Sequence, residues 1–466
     1  MAHAQADRHV YFGLLVLLFW APLPFGSNRP WGGALLFLGT ALLLTCWLLL
    51  FAFERVRISR SLWQQLRWPV LLLLGVQCWV LLQTIPLPRG WVESWSPRAA
   101  TLHLPGERIP LTLDSALTRF HLLLGLSYTA VFALVPLLAN SRSRINGLLW
   151  TLTLSGAFQA IYGALMTLSG LEYGFFVEKY SGEGVATGTF INRNHLAGYL
   201  VMTLSAGIGL LITRLGTTKA DTARERIRGL LQLLLSTKFL LRLLLATMVV
   251  GLVLTRSRMG NLAFFVSLTV AGAAVLLGSR RTVSRNLALL FASLLLVDML
   301  IVGQWFGADQ VAQRLMETTA SSESRDEVSV LSLGIIRDFP WTGSGAGTFY
   351  TVFPHYSEVV LQGDYYVHAH NDYVELAGDL GLPVFAFLAV LVFWCFARGI
   401  TLQYQCDSRY DRGLGFCIIM TVVWALLHST ADFNLYVSAN SLTFTAILAF
   451  AWLERTENRR NSQHLA

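Results

Sequence analysis

Proton chemistry near neutrality needs a group that titrates there. The chain of 466 residues gathers its best candidates in one run, His368-Ala369-His370-Asn371-Asp372-Tyr373-Val374-Glu375-Leu376-Ala377-Gly378-Asp379-Leu380-Gly381. The unperturbed pKa of histidine, roughly 6.5, lets a fixed imidazole accept or donate a proton at physiological pH. His370 is the main candidate for a base, with His368, His355 and Glu375 as alternates. At about 100° per residue, Val374, Ala377 and Gly381 fall close to the direction of His370, giving a small face against which another helix can pack. Asp372, Glu375 and Asp379 fall together on the opposite side. The run continues without a break into the apolar stretch Leu382 to Phe396, so polar groups are delivered to the mouth of an apolar helix. The competing reading is structural, with His370 and Asn371 as a helix cap.

The elements that must position these groups follow from composition. Hydrophobic residues make up 54% of the chain and charged residues 13%, with a mean hydropathy of +0.55. Soluble domains carry about a quarter charged residues, so this is an integral membrane protein. Apolar spans are expected near 10–27, 31–53, 68–86, 119–139, 147–169, 195–213, 239–255, 260–278, 286–306, 376–399, 413–429 and 437–453. Each is close to the ~20 residues a helix needs to cross the hydrocarbon core, so the fold class is an all-α polytopic membrane protein of about twelve transmembrane helices. The first span lacks a small-x-small cleavage site and has Pro22 and Pro24 where a signal peptide would end, so it is read as retained.

Charge orients the set. With the N-terminus in the cytoplasm, Arg55, Arg57, Arg60, Arg67, Arg142, Arg144, the basic run Arg214 to Arg242, and Arg280, Arg281 and Arg285 fall inside, as does the tail with Arg455, Arg459 and Arg460. The positive-inside rule therefore favours both termini in the cytoplasm. The net charge of +8 is mostly this signal. Anionic lipid explains it more cheaply than nucleic acid, which is not expected as a partner. Cys46, Cys78, Cys395 and Cys417 lie in spans and Cys406 in an inner loop, which leaves no disulfide framework and no Cys-x-x-Cys metal site.

Three outer segments remain. Residues 87–118 carry turn prolines with Trp91 and Trp95, the pattern of a short structured excursion on the interface. Residues 170–194 end in Gly188-Thr-Phe-Ile-Asn192-Arg193-Asn194-His195, a polar cluster that feeds directly into a span. The third, about 307–373, is too long for a simple connection. Within it, residues 321–336 have the N-cap, acidic first turn and apolar spacing of a short amphipathic helix, with Arg325 at its start. Gly343, Gly345 and Gly347 then allow either a plain turn or a backbone cradle for phosphate. Arg256 and Arg258 stand in a short outward-facing turn, against the charge bias of the topology. They suggest an anionic ligand, the alternative being side chains that snorkel to lipid phosphates.

These residues together resemble the O-antigen ligase and polymerase superfamily. The likeness is carried by Gly-x-Phe-x-Asn-x-Asn-x-x-Ala-x-Tyr-Leu at 188–200, the arginine turn at 256–258, Arg325, Pro-x-x-Gly-x-Gly at 340–345, and His370-Asn371 with Gly381. It is strongest from about 185 to 450, and the first five spans match only in hydropathy. The family usually has Gly, Thr or Tyr three residues after that glycine, where this chain has Val384. The resemblance implies three regions: N-terminal transmembrane helices and short outer loops (1–184), a ligase-related membrane domain including outer loop 307–373 (185–453), and a cytoplasmic tail (454–466).

It also implies an enzyme of the bacterial inner membrane, working at the periplasmic face, that moves a glycan with inversion from a polyprenyl-diphosphate carrier to lipid A core or another glycan acceptor. Neither cofactor nor metal is implied, since the diphosphate lipid is already a good leaving group. By analogy, His370 takes the proton of the acceptor hydroxyl, and Arg325 with Arg256 or Arg258 clamps the diphosphate, for which guanidinium forks are suited. Asn371, Gly343 and Gly345 are further candidates for substrate contact. Asn192, Arg193, Asn194 and His195 either position the glycan or cap the sixth span. Asp432 and Asn434 either support His370 or form a plain turn. An O-antigen or exopolysaccharide polymerase and a protein O-glycosylation ligase are alternatives that differ in acceptor, which nothing in the sequence reads. A lipid or solute transporter is the more distant rival. Transporters place binding groups near the bilayer midplane, often on repeated halves, whereas the polar residues here gather at one rim.

Overall fold

The computed structural model describes residues 6–174, 176–179, 182–214, 236–278, 327–357, 366–405 and 408–454. Arg325 and the span expected at 286–306 lie outside the described residues. The chain is an all-α polytopic membrane protein. Its helices are α1 (Arg8–Trp20), α2 (Pro30–Ala52), α3 (Arg60–Gln83), α4 (Arg89–Trp95), α5 (Pro97–Leu102), α6 (Ser115–Leu138), α7 (Arg142–Ser169), α8 (Arg193–Arg214), α9 (Thr237–Leu254), α10 (Arg258–Gly278), α11 (327–338), α12 (Asp372–Leu380), α13 (Leu382–Tyr404), α14 (Arg409–His428) and α15 (Ser438–Leu448). Two short antiparallel pairs complete it, β1 (Leu87–Pro88) with β2 (Arg108–Ile109) and β3 (Tyr173–Gly174) with β4 (Val177–Glu178).

Among the described residues, nine helices are long and apolar enough to cross a membrane: α2, α3, α6 to α10, α13 and α14. The first and last expected spans are shorter. α1 ends at Trp20, where a turn through Pro22 and Pro24 stops it, and α15 passes into a 3-10 turn at Ala449–Trp452. The bundle is centred on α8, whose residues are almost all buried from His195 to Ile212. It packs on α14 through a Ser205–Thr421 hydroxyl contact of 2.8 Å and a mixed apolar seam.

One expectation is corrected. The polar run at 368–381 does not continue straight into the apolar span, because the helix breaks at Gly381, which has φ +81° with Pro383 just beyond it. A β-carbon there would collide with the Trp341 backbone, so glycine both permits the turn and makes room for the neighbouring loop. His370 itself has φ +52° and precedes α12. It is therefore not on the helical face with Val374, Ala377 and Gly381, and the three carboxyls of α12 are all buried.

Above the bundle, two distant stretches of chain share one core. Leu87, Val92, Ala99 and Ile109 of the first outer segment pack with Val328, Ile335, Phe339 and Phe353 of the third. The expected amphipathic helix is present over 327–338, and Val328, Ser332, Ile335 and then Phe339 form its buried stripe. Trp91 and Trp95 remain exposed on the excursion, as expected for an interfacial segment.

Candidate functional site

The site is built from the loop before α12. Asn371 has an extended backbone, and its Oδ1 accepts from the amides of Tyr373 at 3.0 Å and Val374 at 3.2 Å, which starts the helix. The Asp372 amide donates to Ser429 O, Ser429 Oγ donates to Asp372 Oδ2 at 2.8 Å, and Tyr373 Oη donates to Leu426 O at 2.7 Å. α12 is thereby fastened to the end of α14 and to the connection into α15. Asn371 acts as a cap, and the residue before it projects toward that connection.

That connection supplies the partner of His370. Asp432 Oδ1 lies 3.7 Å from His370 Nδ1 and 4.0 Å from His195 Nε2, and all three side chains are largely buried. Phe433 forms the common wall. Its ring centroid is 3.9 Å from that of His368, which stacks on it, 4.7 Å from that of His195 and 5.1 Å from that of His370. A fourth histidine, His428, pairs through Nδ1 with Asn434 Nδ2 at 2.9 Å, and Asn440 Nδ2 donates to both Asn434 Oδ1 and the carbonyl of His195. His370 Nδ1, His195 Nε2 and Asp432 Oδ2 have no hydrogen-bond partner among the described residues. Burial pushes the Asp432 carboxyl up. The His370 imidazole, His195, His428 and the Phe433 amide together outweigh it and hold the group well below the usual carboxylate range. Asp432 is thus an ionised carboxylate at neutral pH, set between two imidazoles.

The carboxyls of α12 behave in the opposite way. Burial raises Glu375 to about 8 and carries Asp372 and Asp379 well above their ordinary values. Glu375 Oε1 is 2.7 Å from His368 Nδ1, and its Oε2 accepts from the Ala369 amide at 2.8 Å. Burial lowers His368 to about 4, so this pair is net neutral whichever end of the short bond carries the proton. Asp379 Oδ2 accepts from Tyr436 Oη and from the Gly347 amide, each at 2.7 Å.

The glycine loop is the turn that its spacing allowed. Gly343 N donates to Phe339 O at 3.0 Å, Ser344 N to Gly378 O at 2.9 Å and Gly345 N to Asp379 O at 3.1 Å, while Gln83 Nε2 donates to Thr342 O and to Asp379 O. The amides of Gly343 and Gly345 are engaged inside the protein and are not aimed at a phosphate. Asn192 likewise starts α8, with Oδ1 accepting from the Asn194 amide at 2.8 Å and its carbonyl from His195 N. Asn194 is half-buried in the first turn of that helix.

The arginine turn reaches the same rim from the other side. Ser257 Oγ accepts from Gly260 N at 3.1 Å, which opens α10, and Leu254 O accepts from Ala186 N at 2.9 Å. A β-carbon on Gly260 would meet that of Ala197, so the turn sits on the first turn of α8, two residues from His195. Arg256 is half-buried with φ +51° and Arg258 is exposed. His195 and Asp432 therefore bridge the arginine turn to His370.

Beside α12 lies a cavity of about 580 Å³, walled by Val76 and Val80 of α3, Leu124 and Phe132 of α6, and Leu388 and Val392 of α13. Asp372, Asp379, His121 and Tyr436 are among its polar lining residues.

Residues 243–389 match the family model described as O-antigen ligase. This stretch is similar to the O-antigen ligase family. It contains the arginine turn, the glycine loop, α12 and the start of α13. The rest of the chain is outside the match, including His195, His428 and Asp432. The apolar helices make the chain a multi-pass membrane protein, and the likeness of residues 243–389 to the O-antigen ligase family supports a ligase/polymerase-like membrane enzyme. No curated protein matches the chain. Sequence reasoning placed Asp432 near the ligase site only through the resemblance. It did not find His428, nor the burial of all three α12 carboxyls, since contacts that mark the cluster, such as those of His195 with Asp432, Asp372 with Ser429 and Asp379 with Tyr436, come from distant parts of the chain.

Proposed function

We propose that the protein transfers a glycan from a polyprenyl-diphosphate carrier to an acceptor at the outer face of the inner membrane, as an O-antigen ligase with lipid A core as acceptor. The observation that carries this reading is His370, a non-glycine residue held at φ +52° at the end of the bundle, with Nδ1 3.7 Å from the buried, ionised Asp432. Sparsely populated backbone conformations persist where the surroundings over-determine them, and they concentrate at working sites. Arg256, at φ +51°, is a second such residue in the same neighbourhood.

In this mechanism Nε2 of His370 accepts the proton of the acceptor hydroxyl, and the nearby Asp432 carboxylate, 3.7 Å from Nδ1, stabilises the imidazolium that forms. The acceptor oxygen bonds to the anomeric carbon as the bond from that carbon to the carrier diphosphate breaks, with inversion. Arg256 or Arg258, joined by Arg325, neutralises the departing diphosphate, work of the oxyanion-hole kind worth on the order of 3 kcal/mol per donor. The apolar cavity beside α12 suits the carrier chain, since pockets of ~300–1,000 Å³ with few polar groups are typical ligand sites. The placement of every titratable group of this cluster at one rim favours chemistry there over transport through the midplane.

Deleting the gene and analysing the cell's glycoconjugates tests the reading. The expected result is lipid A core without its glycan and accumulation of the carrier-linked glycan. Shortened glycan chains still attached to the core would make the protein a polymerase, and an unchanged glycoconjugate profile would overturn both.

A further inference from the structure

We infer that Glu375 is a positioning residue for His370, acting as a two-handed brace on the loop that carries it. The inference rests on the proposed role of His370. Glu375 lies in the first turns of α12, yet its side chain turns back past the N-terminus: Oε2 takes the Ala369 amide at 2.8 Å and Oε1 takes His368 Nδ1 at 2.7 Å. It grips the backbone one residue before His370 and the side chain two residues before it. His368 is fixed from its other side by stacking on Phe433 at 3.9 Å, and Phe433 follows Asp432 directly in the chain. The loop is thus held between the helix that follows it and the turn that bears the partner of His370. Asn371, capping from outside, completes the hold.

Such a brace has work to do. A left-handed conformation at a non-glycine residue is disfavoured, so without external restraint residue 370 relaxes to negative φ and its ring swings away from Asp432. Glu375 is buried, pairs with no arginine or lysine among the described residues, and places both oxygens on the loop, which is the geometry of a fixed bracket. Displacing a reacting group by about 1 Å can cost on the order of 10²-fold in rate.

Purified Glu375→Ala, Glu375→Gln and His368→Phe variants, each checked for a monodisperse size-exclusion profile, decide the matter by two readouts. One is turnover with a carrier-linked glycan and acceptor, and the other is the rate of carbethoxylation of His370 by diethyl pyrocarbonate, followed by peptide mass spectrometry. Glu375→Ala is expected to lose ~10- to 100-fold in kcat with the donor KM unchanged, and to change the His370 modification rate several-fold. Glu375→Gln is expected to recover most of both, because an amide can still accept from Ala369 and donate to His368. His368→Phe keeps the stack on Phe433, loses one hand of the brace and should fall between. Wild-type kcat and modification rate in Glu375→Ala would overturn the inference. A folded Glu375→Gln as impaired as Glu375→Ala would also overturn it, since proton transfer by the carboxyl itself would then be at work. If Glu375→Ala does not fold, the other two variants decide. A wild-type protein with no transferase activity would reject the proposed function, and the modification rates would still report on the brace.

Discussion

At the scale of single residues, the site divides its carboxyls by charge state. Asp432 is ionised, and Glu375, Asp372 and Asp379 are held toward their neutral forms. His370→Ala is expected to reduce glycan transfer by ~10²- to 10⁴-fold, the usual worth of general-base assistance, with membrane insertion and size-exclusion behaviour unchanged. A purified donor-plus-acceptor assay measures it, and near wild-type turnover would leave His370 only a structural role. Arg325→Lys should be badly impaired but less so than Arg325→Ala in the same assay, because a point charge keeps attraction for diphosphate while losing the planar fork. The His368–Glu375 pair also gives stability a pH dependence with a definite sign. In the unfolded chain these groups titrate near 6.5 and 4.5, and in the fold near 4 and 8. Between about 4.5 and 6.5 both states of the pair hold one proton, so nothing changes. From about 6.5 to about 8 the folded pair keeps a proton that the unfolded pair has lost, and its contribution falls by up to ~1.4 kcal/mol per pH unit. Asp432, depressed in the fold, acts in the other direction, its contribution being lost only on strong acidification. Thermal unfolding in detergent at pH 6.5 and pH 8 should show a decrease in Tm that is smaller in Glu375→Gln; an equal decrease in both would remove the pair from the account.

At the scale of elements, the contact between the glycine loop and the end of α12 fixes the outer domain to the bundle. Gly343 has φ +68°, and a β-carbon there would strike the Asp379 carbonyl, which is backbone and has nowhere to go. Gly343→Ala is therefore expected to destabilise by ~3 kcal/mol or more, seen as loss of the monodisperse peak or a Tm lower by several degrees. An unperturbed Gly343→Ala would mean that the loop can shift without cost. This contact also marks where the sequence stops being readable. The all-α membrane class, the nine long spans, the helix over 327–338 and the cap at Asn371 were legible because periodicity, apolar length and capping chemistry are local. The break at Gly381 was not, since a glycine inside a helical pattern breaks the helix only when a neighbour, here the Trp341 backbone, needs the space. The burial of Asp372, Glu375 and Asp379 was hidden for a related reason. A polar face on a helical wheel reads as solvent-facing unless its partners are known, and those partners, Ser429, His368 and Tyr436, lie 57, 7 and 57 residues away in the chain. His195 looked like a feature of a helix end, and only the fold turns it, with His428, toward Asp432.

At the scale of the whole molecule, the two rims differ in chemistry. One carries the histidine and carboxyl cluster. The other carries arginine contacts such as Arg144 with Asp7 at 2.7 Å and Arg398 with the carbonyl of Ala451 at 3.1 Å. With arginine retained on the cytoplasmic side, residues 307–373 should lie outside the cytoplasm and both termini inside. Reporters fused after Gly307 and after Ala466 are expected to land in opposite compartments; the same compartment for both would reverse the orientation and dismiss the arginine clamp. The shared core of the outer domain bears on how the molecule is made. Leu87, Val92 and Ile109 emerge from the ribosome more than two hundred residues before Val328 and Phe353, which they need for burial. Asp432 comes later still, after the last of the long helices. In a nascent chain the apolar faces of the first segment therefore stay without these partners through most of synthesis, and the cluster around His370 is complete only once the turn that bears Asp432 has followed.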